Sequence, residues 1–92
     1  MIIEYDKAKN QRNICERELS FEDARCFDFN TAVIEADVRK PYPEIRYVAL
    51  GYLRERLHVL CFSPIRGGIR VISFRKANAR EVKNYERTRT TH

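Results

Sequence analysis

The sequence predicts a single α+β domain, residues 1–92, in which helices pack against an antiparallel sheet. The chain has 92 residues, which is enough for one hydrophobic core. Apolar residues recur at helical spacing up to about residue 29, and short alternating segments follow between residues 32 and 75. Only a few turn-forming or charged residues separate these segments, and such short connections are typical of an antiparallel meander.

The N-terminal part predicts a short strand followed by a helical hairpin, residues 7–29. Residues 1–5 are apolar and could pair at the edge of a sheet. Residues 7–18 contain neither Gly nor Pro and predict a polar helix. Its sparse apolar positions are Ala8, Ile14 and Cys15. Ser20, with Asp23 three positions later, resembles a capping box and predicts the start of the second helix. The residues of that helix expected to face the core are Phe21, Ala24 and Phe27.

The rest of the chain predicts a sheet of three or four strands and a closing helix. The strand candidates are residues 32–36, 44–53, 57–63 and 69–75. From residue 77 to about residue 87 the composition of Ala, Arg, Glu, Val and Lys predicts the helix. We therefore expect one sheet packed against helices, with no domain boundary.

The positive charge of the chain is concentrated in its last third. The formal net charge is +5. Residues 66–92 hold eight basic and two acidic side chains, whereas residues 1–30 hold five basic and seven acidic ones. Such a patch indicates a polyanion partner, nucleic acid first. The alternative is a soluble basic face without a specific partner.

Neither the cysteines nor the histidines form a metal-binding or disulfide pattern. Cys15, Cys26 and Cys61 are far apart and predict reduced, buried thiols. His58 and His92 lack ligand spacing, and His58 lies inside an apolar strand, which predicts a packed residue. No apolar run reaches the length of a signal peptide or a membrane span. We therefore expect a cytoplasmic protein without a metal or another cofactor.

The strand candidate at residues 69–75 carries two arginines, whose rigid forks of donors fit phosphate oxygens. Regular alternation places Arg70 and Arg75 on opposite faces of that strand. The face of Arg70 also carries Ile72, Phe74 and Lys76, and the face of Arg75 carries Ile69, Val71 and Ser73. The alternative is that both arginines are structural ion-pair partners of Glu44, Glu55 or Glu81.

Four segments, in this order, resemble the BrnT family of toxins. The segments are YDKAKNQRN (residues 5–13), LSFEDARCFDF (residues 19–29), EIRYVALGYL (residues 44–53) and IRVISFRKANAREVKNY (residues 69–85). This resemblance implies a RelE-like ribonuclease fold and the toxin of a type II toxin–antitoxin system. Such a toxin cleaves RNA without a metal ion and arrests growth.

The resemblance also implies partners. A BrnA-like antitoxin with a ribbon-helix-helix domain would neutralise the toxin, and the complex would bind its own promoter DNA. The small core favours an obligate partner, or a homodimer within that complex.

Site residues follow from the resemblance as well. Arg75 and Arg70 are expected to contact phosphate and stabilise the transition state, with Arg46 in support. Glu44 or Tyr85 would transfer protons, although most helical tyrosines are simply packed. The residues expected to bind RNA are Lys9, Arg17, Lys76, Arg80 and Lys83.

One tripeptide departs from the family. Where BrnT toxins usually have Lys-His-Gly, this chain has Glu16, Arg17 and Glu18. The family's histidine, a natural proton carrier, is missing, and Glu in place of Gly implies a different turn. One alternative is therefore a catalytically weak module that serves as the antitoxin's partner or co-repressor. Another is a general single-strand binder.

Overall fold

The predicted α+β class is confirmed by a computed structural model, which describes residues 1–90. The strands are β1 (Ile2–Glu4), β2 (Val33–Ala36), β3 (Tyr47–Leu53), β4 (Arg56–Ile65) and β5 (Gly68–Lys76). The α-helices are α1 (Lys7–Arg17) and α2 (Ala79–Thr90), and a 3₁₀ helix spans Phe21–Cys26. Neither α-helix of this described part is long and apolar enough to cross a membrane.

The sheet has five strands in the order β1-β5-β4-β3-β2, and it is mixed. The predicted antiparallel sheet of three to four strands was therefore wrong in both respects. The four later strands form the expected antiparallel meander, but β1 joins the edge parallel to β5. Gly68 permits this pairing because a β-carbon there would collide with the backbone of Ile2.

The two faces of the sheet have different coverings. We call the face that packs on the 3₁₀ helix the core face; its side chains include Ala49, Leu60 and Phe74. We call the opposite face the open face; it carries Val48, Val59, Cys61, Ser63 and Arg75, according to the cross-strand register. Helix α2 covers only the end of the open face near Leu57 and Val59, where Tyr85 and Val82 pack.

The predicted helical hairpin is not formed, because the second helix is a single 3₁₀ segment. Ser20 caps it by accepting a hydrogen bond from the Glu22 N–H at 3.1 Å, and it ends where Phe27 becomes extended and pairs with Leu53. The 3₁₀ helix repeats every three residues, so that side chains three apart lie on the same side. Its spacing therefore buries the three expected residues, Phe21, Ala24 and Phe27.

Helix α1 is attached to the rest of the protein through buried asparagines. The Asn13 side-chain amide donates to the carbonyl of Leu19 at 2.9 Å and to that of Phe74, on β5, at 3.0 Å. Asn10 accepts from the Phe21 N–H at 2.7 Å. Strand β1 pairs only with Gly68 to Arg70, so α1 occupies the position beside β5 that a longer β1 would fill.

The cysteine prediction was wrong for two of the three thiols. Cys15, on α1, and Cys26, at the end of the 3₁₀ helix, are exposed, and only Cys61 is buried. All three are free, as the sequence predicts. The exposed thiols follow from the way α1 and the 3₁₀ helix are held, since asparagines and aromatic residues occupy their buried sides.

Strand β5 contains a β-bulge that overturns the predicted assignment of its faces. Cys61 pairs with Ser73 and Phe62 pairs with Val71, which leaves Ile72 as an extra residue. Beyond the bulge the alternation changes phase, so Val71 and Phe74 both lie in the core. Consequently Arg70, opposite Ser63, and Arg75, opposite Val59, share the open face rather than lying on opposite faces.

We predict that replacing Asn13 by Ala destabilises the fold by about 2–4 kcal/mol. The substitution leaves the buried carbonyls of Leu19 and Phe74 without their donor, and each such loss costs about 1–3 kcal/mol. The measurement is urea unfolding of Asn13→Ala against the wild type. Gln11→Ala, on the exposed side of α1, is the control and should leave stability within about 0.5 kcal/mol. Equal stability of the two variants would contradict the role of Asn13.

Candidate functional site

The three arginines expected to be catalytic lie on the open face. Arg70 and Arg75 reach it through the bulge. Arg46 lies one residue before β3, where its carbonyl accepts from the Asp37 N–H at 2.8 Å and extends the β2–β3 ladder by one pair. The β3–β4 register ends at the pair of Tyr47 and Phe62, and continued by one residue it would set Arg46 opposite Ser63. The fold therefore brings Arg46 onto the same surface as Arg70 and Arg75, which lie more than 20 residues later in the sequence.

A groove crosses the open face beside the first turn of α2. It has a volume of about 500 Å³ and is bordered by residues 35–39 on one side and by Ser73, Arg75 and Glu81 on the other. Val48, Val59 and Cys61 form its floor. Burial raises the pKa of the Cys61 thiol, which keeps this floor uncharged. The groove therefore combines an uncharged floor with charged walls.

A second cavity lies on the other side of Arg75, between β5 and the end of α1. It has a volume of about 390 Å³ and is lined by Glu16, Arg17, Glu18, Leu19, Arg75 and Lys76. A smaller hollow of about 100 Å³ beside it is lined in part by Lys9, Arg12, Arg17 and Ser73. We call these two cavities together the α1 cleft. Arg75 lines both the groove and the α1 cleft, as does Ser73, so the two hollows meet at these two residues of β5.

The expected RNA-binding residues divide into two groups. Lys9, Arg17 and Lys76 line the α1 cleft, as does Arg12, which the sequence analysis did not single out. Arg80 and Lys83 are exposed on α2 and line neither the groove nor the cleft. The cations around Arg75 come from α1 and β5, whereas those of α2 form a separate surface.

Arg75 is held from its end by Glu81. Its two terminal nitrogens, Nη1 and Nη2, each donate to a carboxylate oxygen of Glu81 at 2.8 Å. These hydrogen bonds raise the pKa of Arg75 and lower that of Glu81. Glu81 also accepts from the Asn78 N–H at 2.9 Å while its own N–H donates to the Asn78 side chain at 2.9 Å. This capping box starts α2 and fixes the carboxylate that holds the arginine.

The pairing with Glu81 leaves one edge of the Arg75 guanidinium available. Nη1 also donates to the Lys76 carbonyl at 3.2 Å, so both of its hydrogens are engaged. Among the described residues, no acceptor is bonded to Nε–H or to the second hydrogen of Nη2. These two donors lie on the same side of the planar group and form a second fork that fits two phosphate oxygens.

The turn after α1 keeps a geometry that glycine would favour. Glu18 has φ 54°, in the left-handed region, and its N–H donates to the Ile14 carbonyl at 2.9 Å. Glu18 thus adopts, with a side chain, a backbone conformation that glycine adopts without strain, and whether the turn differs from that of other BrnT toxins stays a prediction. Arg17 donates to the Asn13 side chain at 2.7 Å and lines the α1 cleft with Arg75. Position 17, where the resemblance implies a histidine in the family, is thus part of the cleft.

The other two arginines are in exposed ion pairs. Arg70 donates to Glu4 at 2.9 Å, and Arg46 donates to Glu44 at 2.8 Å. The Arg46 guanidinium also lies 4.0 Å from the centre of the Tyr42 ring. The ion-pair alternative therefore holds for Arg75, whose partner Glu81 was among the three candidates, whereas Arg70 pairs with Glu4, which was not among them.

Two further candidates are packed. Tyr85, expected to transfer protons, is buried; its hydroxyl donates to the Thr31 carbonyl at 2.9 Å, and its ring meets Tyr52 edge-on. His58 is also buried, as predicted, and its Nδ1 lies 2.8 Å from the Arg56 carbonyl. Burial lowers the pKa of His58, so the ring is neutral and Nδ1 is the donor.

One wall of the groove rests on a residue that the sequence analysis missed. Asp37 is buried, accepts two side-chain hydrogen bonds from Arg39 at 2.8 Å each, and also accepts from the Arg39 N–H. These bonds lower the pKa of Asp37 to about 2. An Asp two residues before an Arg in a proline-containing loop was the available signal. The pair fixes the loop that borders the groove.

Comparison with known proteins identifies the family of this chain. The family model described as ribonuclease toxin, BrnT, of type II toxin-antitoxin system matches residues 5–81. The match contains Arg17, Arg46, Arg70 and Arg75 and ends at Glu81. No protein of curated function matches the sequence. Within residues 1–90, no group of three or more His, Cys, Asp and Glu side chains is placed to hold a metal ion.

We predict that stability falls as the pH drops from 7 to 5, because of His58. Its pKa is lowered in the folded state relative to the unfolded value of about 6.5. The unfolded chain therefore binds more protons, so the stabilisation is complete above that value and is lost below it. Urea unfolding across this range should give a flatter pH profile for His58→Asn, whose amide can replace the Nδ1 donor. An identical profile in both proteins would contradict the assignment.

Proposed function

Because the chain belongs to the BrnT family of ribonuclease toxins of type II toxin–antitoxin systems, we propose that it is a metal-independent endoribonuclease. The observation that carries this proposal is the free donor edge of Arg75 at the junction of the groove and the α1 cleft. A single RNA strand that crosses β5 at this junction would place one phosphate against that edge. Lys9, Arg17 and Lys76 would hold the strand on the α1 side.

The reaction that fits this site is internal transesterification of RNA. The ribose 2′-oxygen loses its proton and attacks the adjacent phosphorus, and the bond to the 5′-oxygen breaks as that oxygen takes up a proton. The products are a 2′,3′-cyclic phosphate and a 5′-hydroxyl. Negative charge develops on the non-bridging oxygens of the intermediate, and we propose that the fixed Nε–H and Nη2–H of Arg75 stabilise it.

Proton transfer is proposed to use carboxylates of the α1 cleft. Tyr85 already donates its hydroxyl to Thr31, and Glu44 lies with Arg46 at the far end of the open face. Glu16 and Glu18 line the cleft beside Arg75. We propose that one of these two accepts the 2′-hydroxyl proton, with water protonating the leaving oxygen.

We further propose the partners of a BrnT system: a BrnA-like ribbon-helix-helix antitoxin, promoter DNA bound through the complex, and two toxin copies within it. The setting would be the cytoplasm, where growth arrest follows from cleaved RNA. Exposed apolar side chains support a protein partner near the groove, since Val38 and Ile45 are exposed on the loop that follows β2.

A second candidate function is a catalytically weak module that binds the antitoxin and represses transcription with it. Two observations favour it: Glu81 occupies the end of Arg75, and Arg17, a poor proton carrier, stands where the family has histidine. The two candidates differ in whether the isolated protein cleaves RNA.

We predict that expression of the protein without an antitoxin gene arrests growth and lowers bulk translation. Arg75→Ala should relieve both effects. Loss of one preorganised donor group of this kind costs about 10²–10³ in rate. Arg54→Ala, in the β3–β4 turn, is the matched control and should still arrest growth. Normal growth with the wild type, together with intact RNA after incubation with purified protein at low salt, would overturn the nuclease proposal. RNA binding that weakens steeply with salt, without cleavage, would instead identify a single-strand binder.

We predict that Glu81→Gln lowers the cleavage rate about tenfold or more, because Arg75 loses the charged partner that orients it. Asn78→Ala breaks the same capping box but leaves the Arg75 pair, so it should cost about 1 kcal/mol of stability and little activity. In an Arg75→Ala background, Glu81→Gln should have no further effect on rate. Equal rate losses for Glu81→Gln and Asn78→Ala would show that only the helix cap matters.

A further inference from the structure

Ser63, near the end of β4, carries a hydroxyl whose hydrogen-bonding capacity is unused. The residue is 4% exposed, and its Oγ has no hydrogen-bond partner among the described residues. A buried polar group without a partner destabilises the fold, whereas alanine would fill nearly the same space without that cost. The hydroxyl therefore requires an explanation other than stability.

The neighbours of Ser63 on the open face are two arginines. Arg70 is its direct cross-strand partner on β5, and Arg46 is the residue that the β3–β4 register, extended by one position, brings opposite it. Adjacent strands are about 4.8 Å apart, so the two guanidinium side chains start on either side of the hydroxyl.

Both flanking arginines can accept another anion. In the described part of the chain, Arg46 bonds to Glu44 only through Nε, and Arg70 bonds to Glu4 only through Nη1. The partner carboxylates are exposed, with side-chain exposures of 42% for Glu44 and 53% for Glu4. Exposed ion pairs of this kind are weak, so an anion bound by both arginines can replace or join them.

We propose that Ser63, Arg46 and Arg70 form a phosphate subsite that holds the RNA backbone at a phosphate other than the cleaved one. This inference rests on the proposed nuclease function. Val59, the cross-strand partner of Arg75, and Ser63 are four residues apart on β4, which corresponds to about 13 Å. One RNA strand lying along the open face can contact both Arg75 and Ser63, whereas a free phosphate ion can contact only one of them.

The subsite gives Arg46 and Arg70 a role distinct from that of Arg75. They fix the strand by charge, and the Ser63 hydroxyl, buried in the free protein, adds a hydrogen bond to a phosphate oxygen once the flanking arginine side chains turn toward the phosphate. Ser63 is a binding residue here, and the stability given up by its unpartnered hydroxyl in the free protein is recovered when the phosphate arrives.

The test is Ser63→Ala, examined by thermal unfolding and by binding of a short 2′-O-methyl RNA that cannot be cleaved. We expect the free variant to melt at a higher temperature than the wild type and to bind the RNA about tenfold more weakly. The dependence of affinity on salt should be unchanged, since no charge is removed. Arg70→Ala should instead reduce the slope of log affinity against log salt by about 0.7. Ser63→Thr, which keeps the hydroxyl, should retain affinity within about threefold.

Three results would overturn the subsite. If Ser63→Ala has a higher melting temperature and unchanged RNA affinity, the hydroxyl only destabilises the fold. If the variant has a lower melting temperature, the hydroxyl stabilises the folded protein. Equal thermal stabilisation by inorganic phosphate and by the RNA at matched phosphate concentration would show that the subsite binds a free anion rather than the RNA backbone. Absence of RNA cleavage by the wild type is a separate result, which overturns the nuclease proposal but leaves the binding comparison intact.

Discussion

The extra residue in β5 determines which side chains meet on the candidate site. Without Ile72 in the bulge, regular alternation would turn Arg70 toward the aromatic core while Arg75 faced the groove. Burying a guanidinium without a partner costs several kcal/mol, so the regular strand is excluded as long as Phe74 packs in the core. The bulge reconciles a core of Val71 and Phe74 with a cationic outer face. The shared face of Arg70 and Arg75, and the pairing of Arg70 with Ser63, both depend on that change of phase.

The ion pair of Arg75 and Glu81 is compatible with the role proposed for Arg75. Glu81 engages the end of the guanidinium, and the side edge keeps its donors for a ligand. Because Glu81 also belongs to the capping box with Asn78, the start of α2 and the direction of the arginine are set together. The pairing therefore orients the arginine more than it neutralises it.

The sequence predicts the elements better than it predicts their contacts. Short, polar connections made the β3–β4–β5 meander predictable, because such turns leave only antiparallel neighbours. The pairing of β1 with β5 depends on the missing side chain of Gly68, a tertiary contact that no local pattern reports. The 3₁₀ helix was misjudged because apolar residues three apart fit both helix types. Asn10 and Asn13 were missed because hydrophobic periodicity assigns only apolar residues to the buried side of a helix.

The site was predictable only in part for the same reason. Arg70 and Arg75 could be proposed as phosphate ligands from their chemistry, and Lys9 and Arg17 as RNA-binding residues from the family resemblance. The shared face of the two arginines could not, since a bulge is invisible to alternation. Tyr85 looked available as a proton carrier because a helical tyrosine gives no sign of the Thr31 carbonyl that accepts its hydroxyl.

The left-handed turn at Glu18 separates the outline of the α1 cleft from its charge. The Glu18 N–H is bonded to the Ile14 carbonyl, and the Asn13 side chain is bonded to the Leu19 carbonyl just after the turn. Arg17, immediately before the turn, lines the cleft. A different side chain at position 17 would therefore change the charge of the cleft while these bonds preserve its outline.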